Sequence, residues 1–179
     1  MLVINVPEQD LYDPVSNEFI FIKKQTLHLE HSLLSISKWE SKWHKPYLSK
    51  EEKTVEEMVD YIRCMTISQN IDPNVYKCLT QENINDIVKY MEDPMTATTV
   101  NTHQKPSREI VTSELIYYWM TALNIPFDPC QKWHLNRLLM LIQVCSIKSQ
   151  PAKKMSRAEI MRRNTQLNAA RRAKYGTSG

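Results

Sequence analysis

Five histidines and four cysteines are the side chains of this sequence best suited to holding a metal, moving a proton or attacking a substrate. Their spacing builds none of those devices. His28 and His31 fall where a strand pattern gives way to a helix pattern, so their separation of three residues fixes no shared face. His44 follows Trp43 and His134 follows Trp133, and neither sits in a metal-ligand motif. These histidines read as surface or capping residues. Cys64, Cys78, Cys130 and Cys145 lie 14, 52 and 15 residues apart, which is no CxxC motif, and they read as buried free thiols in a reducing compartment. The carboxylate pairs Glu51-Glu52 and Glu56-Glu57 read as a solvated helix start, favoured by the helix dipole. No Ser or Cys sits in a nucleophile motif.

Glycine sharpens the exclusion. The chain has two, Gly176 and Gly179, both in the terminal tail. Phosphate loops, dinucleotide turns and nucleophile elbows all need Gly where the backbone meets a ligand or takes a positive φ. The expectation is a non-enzyme with no catalytic residue, metal or cofactor.

Charge is the other informative pattern. From Lys153 onward there are eight Lys/Arg and one Glu, a net of +7 in a chain whose total is +3, leaving −4 for residues 1–152. An acidic body with a basic tail marks a segment that meets nucleic acid, an anionic surface or an acidic protein. With Arg162 at zero on a helical wheel, Arg163, Arg171, Arg172 and Lys174 fall at about 100°, 180°, 280° and 120°. Charges spread that widely argue against a groove-reading helix, though counterion release needs only charge. The candidate partner-contacting residues are Lys153, Lys154, Arg157, Arg162, Arg163, Arg171 and Arg172, together with Trp39 and Trp43. The two tryptophans are spaced to share a helix face among lysines and could stack on a partner. Their stronger reading is core, continuing Leu33 and Ile36.

These residues need elements to position them. Leu2–Val6, Phe19–Ile22 and Thr26–Glu30 read as strands of one small antiparallel sheet, with turn residues at 13–17. Helices follow. Ser32 caps one that ends before Pro46. Thr54 and Glu57 form a capping box ahead of an apolar face of Val55, Met58, Val59, Ile62 and Met65. Asp72-Pro73 opens a short helix, and Ile84, Ile87, Val88 and Met91 stripe another. Beyond a Thr-rich connector, Ser107 is expected to cap a long helix with Val111, Leu115, Tyr118, Trp119 and Ala122 on one face. The helix from Lys132 to about Ile147 is apolar nearly all round and is expected to be the buried member of the bundle. Ser156 and Glu159 form a second capping box, and Gly176 is placed to stop that helix. The expected fold is mainly α (α+β): a helical bundle with a small N-terminal antiparallel sheet and a basic C-terminal helix. Residues 1–150 form the globular domain, β-rich over 1–30 and helical over 31–148, and 151–179 form the tail. The longest apolar run, Leu138–Ile142, is far too short to cross a bilayer, and the N-terminus lacks signal-peptide features.

Taken in order, Glu30–Pro46, Asp60–Met65, Asp93–Thr98, Ile116–Met120 with Pro126-Phe127, Lys132–Leu138 and Asn164–Arg172 resemble a tail assembly chaperone of long-tailed phages and prophages of Gram-positive bacteria. That resemblance spans nearly the whole chain and carries no catalytic motif. It implies a non-catalytic protein of the host cytoplasm, absent from the mature virion, that binds the tape measure protein and helps to recruit tail tube subunits. It leaves room for a homo-oligomer and places neither nucleic acid nor a membrane among the partners. Two other readings stay open: a structural virion component such as a head–tail connector or tail subunit, and a nucleic-acid-binding module using the basic tail.

Overall fold

The computed structural model describes residues 1–13, 17–100, 109–149 and 156–176. They fold as a mainly helical α+β protein that divides into two compact units, Met1–Ile147 and Lys148–Gly179. The boundary expected after Gln150 lies outside the described residues.

The N-terminal region holds four short strands in two antiparallel pairs. β1 (Leu2–Val6) pairs with β4 (Gln25–Leu29), with Ile4 opposite Leu27 and Leu2 opposite Leu29. Alternation sends Ile4, Val6, Leu27 and Leu29 into the core and leaves Val3, Asn5 and Thr26 outside. β2 (Gln9–Asp13) pairs with β3 (Glu18–Ile22). Sequence reasoning missed β2 because Gln-Asp-Leu-Tyr-Asp has no β-branched residue, and it expected one sheet where two pairs form.

α1 (Leu33–Trp43) is capped by Ser32, whose side chain accepts from the Ser35 amide, and it stops at His44 in the left-handed region. α2 (Val55–Met65) starts at the expected Thr54–Glu57 capping box. Its buried face differs from the expected stripe. Val55 is 72% exposed and Met58 is exposed, whereas Glu57, Asp60 and Tyr61 are buried with Ile62 and Met65. The helix turns its carboxylates toward α1 because lysines and an indole there receive them. A 3₁₀ turn at Pro73–Cys78, capped by Asp72, leads to α3 (Gln81–Glu92). In α3, Ile87 and Tyr90 are buried while Ile84 and Val88 stay exposed.

α4 is shorter than expected, Ser113–Ala122, and Thr112 is its cap. The expected cap, Ser107, lies outside the described residues. The buried side of α4 is Ser113, Ile116 and Met120, and Tyr118 from the expected face is 66% exposed. A single turn, α5 (Phe127–Cys130), precedes α6 (Leu135–Ser149). α6 buries only Leu135, Leu138 and Ile142, so it is a half-exposed helix and not the buried centre of the bundle. Its apolar composition exceeds what its neighbours cover.

In the second unit, α7 (Arg157–Tyr175) has the expected Ser156–Glu159 capping box and ends at Gly176 with φ 63°. None of its residues is buried. With no buried face, the helix is sustained by its capping, its length and its good helix formers.

Candidate functional site

The two tryptophans proposed as partner contacts are structural. Trp39 is 1% exposed, and its Nε1 donates to the Glu57 carbonyl at 2.9 Å. Trp43 is half-buried and donates to Asp60 Oδ2 at 2.9 Å. Their stacked rings, 6.1 Å apart, fill the joint between α1 and α2. Trp39 therefore has no face left for a partner, which corrects that part of the expectation.

That joint is a polar seam whose buried carboxylates all have donors. Asp60 takes Lys42 and Trp43. Glu57 takes Lys45 Nζ at 2.6 Å and the Thr54 amide at 2.8 Å, and these bonds, Lys45's first, hold its carboxyl below the usual carboxylate range. Glu40 accepts the Tyr47 and Ser113 amides, each at 2.8 Å. One carboxylate thus ties the loop after α1 to the N-terminus of α4, where the helix dipole favours negative charge.

The opposite character is found between α4 and α6. A groove of about 680 Å³ is lined by Trp119, Leu123, Leu139, Met140, Ile142 and Ile147, with Asn136, Gln143 and Ser146 as its polar groups. It is the place where the surplus apolar surface of α6 is open. Its size and composition suit the apolar stripe of a helix. The sequence carries the signal, since α6 is apolar nearly all round, but that pattern alone predicts burial.

A second apolar surface lies on the β2–β3 pair. Tyr12 stands opposite Phe19 and Asp10 opposite Phe21 on one face. Phe19 is 73% exposed, with Phe21 and Tyr12 also open. Solvent-facing aromatics gathered on one small face are unusual on an isolated surface.

Of the basic residues proposed as contacts, Arg157, Arg162, Arg163, Arg171 and Arg172 lie on α7 and are exposed. Lys153 and Lys154 lie outside the described residues. Adding Arg157, at about 220° on the same wheel, alters the earlier picture of charge spread round the axis. Arg163, Lys174, Arg171 and Arg157 fall between about 100° and 220°, with Ile160 near 160° and Leu167 near 140°. Arg162 and Arg172 lie outside that sector. α7 therefore has one mixed basic and apolar face.

The histidines correct another expectation. His44 is an exposed helix cap, but His31 and His134 are buried and meet with ring centroids 5.2 Å apart. His31 Nδ1 lies 2.6 Å from the Tyr61 hydroxyl. His134 Nε2 donates to the Tyr90 carbonyl at 3.0 Å. No sequence spacing could have joined residues 31 and 134. All four cysteines are free thiols, and no cluster of three or more metal-ligating side chains occurs among the described residues. No described helix is long and apolar enough to cross a membrane. No known protein family, curated protein or solved structure matches the chain.

Proposed function

We propose that this protein is a non-catalytic tail assembly chaperone of a long-tailed phage or prophage, acting on the tape measure protein in the host cytoplasm. The single observation that carries the reading is the apolar groove between α4 and α6, which the described residues of the first unit leave open. A tape measure protein presents long helices whose apolar stripes are unsafe in water until assembly. A groove of this volume and lining takes such a stripe through side-chain burial, the helix-in-groove mode. Met140 in its wall adapts to imperfect stripes because an unbranched thioether repacks easily. Leu139 and Ile147 supply fixed apolar contacts.

The mixed face of α7 acts as a docking arm in this reading. Ile160 and Leu167 between basic side chains suit an acidic protein surface better than a phosphate backbone, which would use the charges alone. The aromatic face of β2–β3 is the candidate contact for a second partner, such as the tail tube subunit. The protein leaves before the virion is complete.

Co-expression tests the reading. With this chain present, the tape measure protein stays in the supernatant and co-purifies with it. A tape measure protein that remains insoluble overturns the proposal. Mass spectrometry of purified virions separates it from a structural virion component, which would be found there in stoichiometric amount.

A further inference from the structure

We infer that His31 and His134 form a proton-operated latch: with both rings neutral it holds the start of α6 against the β4–α1 turn, and protonation releases that junction. This goes beyond the proposed function and rests on a different part of the molecule. The backbone stitching is local and specific. The Leu135 amide donates to the His31 carbonyl at 2.7 Å, and the Leu34 amide donates to the Gln131 carbonyl at 3.2 Å. Ser32 and His134 form an antiparallel bridge between them. The two imidazoles sit directly beside this stitch.

Their surroundings accept neutral rings and resist charged ones. Since His134 Nε2 donates to a carbonyl, its Nδ1 is the lone-pair nitrogen of the neutral ring, and that atom is buried without a hydrogen-bond partner among the described residues. A proton arriving there would create a buried, unpaired N–H on a cation. The groups facing the pair offer little compensation. Tyr61 from α2 faces His31, with Tyr47 stacked behind it at 3.8 Å. Tyr90 from α3 stands edge-on to His134 at 4.9 Å. Glu30 is the nearest carboxylate of the turn, but Tyr90 Oη donates to one of its oxygens at 2.6 Å and the Met1 amino group pairs with the other at 3.1 Å. Asp93, beyond α3, is exposed and bears on His134 only at a distance. Protonating one ring also sets a cation 5.2 Å from the other.

The sign follows from these surroundings. Burial, and then the neighbouring His134, push His31 down to about 4, and burial lowers His134 as well. An unfolded histidine titrates near 6.5. The released state binds more protons than the closed one, so the junction is at full strength above about pH 6.5 and weakens as pH falls toward about 4. Asn136, the second residue of α6, lines the groove and donates to the Met91 and Asp93 carbonyls. Release therefore loosens one end of the groove.

Amide hydrogen exchange on the whole chain tests this, after correction for the intrinsic exchange rate. Between about pH 7.5 and about pH 5.5 the Leu135 and Leu34 amides should lose about tenfold in protection, while the β1–β4 ladder keeps its own. The double variant His31→Gln with His134→Gln, which cannot titrate at either ring, should flatten that change. If that variant does not fold, the ring signals of the natural chain decide: both histidines should titrate below the ordinary histidine value, His31 near 4. Ring signals titrating near 6.5 overturn the latch. So does a loss of protection spread equally over the β1–β4 ladder.

Discussion

The α1–α2 seam and the α4–α6 groove put amphipathic helices side by side with opposite results. In the seam the buried polar groups are carboxylates, and each is satisfied: Glu57 by Lys45 and the Thr54 amide, Asp60 by Lys42 and Trp43, Glu40 by two amides. Such a joint has one low-energy geometry, because any slip leaves a buried charge without its donor. The groove has no such pins. Its walls are aliphatic and aromatic, and its few polar groups are neutral. Non-directional contacts tolerate many partners and registers. The difference separates what the protein needs for its own shape from what it leaves open to others.

The comparison breaks most visibly at Trp39. Trp39→Ala removes the largest fully buried side chain and should cost about 3–5 kcal/mol of unfolding free energy in urea titration. A loss under about 1 kcal/mol would mean that the seam is not closed. Glu40→Gln comes next. One oxygen becomes an NH₂ that must face a backbone N–H, so donor meets donor at either Tyr47 or Ser113. The expected cost is about 1–3 kcal/mol, with loosening at the start of α4 visible in its amide exchange.

The seam and the groove were also unequally legible. Caps could be read from single residues, because Ser32, Thr54 and Ser156 each act on an amide three positions away. The apolar content of α6 and the small sheet were legible for similar reasons of local pattern. Which face of each helix turns inward was not. α2 buries Glu57 and Asp60 against the expectation from hydrophobicity, because their partners Lys45, Lys42 and Trp43 are supplied by another segment. The meeting of His31 with His134 depends on the same long-range placement. The groove was hidden by a sound rule applied without knowledge of neighbours: an all-apolar helix signals burial only if other elements are present to cover it.

The smallest effect on stability, and the one that sharpens the contrast furthest, is expected in the groove. Met140 and Ile147 line it and belong to neither the buried core nor the layer packed against it. Met140→Gln and Ile147→Gln should therefore change unfolding free energy by no more than about 0.5 kcal/mol each. The same two changes should lower the amount of tape measure protein held in solution, because they remove apolar surface where a client stripe would lie. A stability loss approaching that of Trp39→Ala would show that the groove is unfinished core and offers nothing to a partner. Unchanged stability with unchanged client solubility would place the client elsewhere, with the aromatic face of β2–β3 as the next surface to alter. Only silence in folding together with failure in holding the client fits a surface kept apolar for another protein.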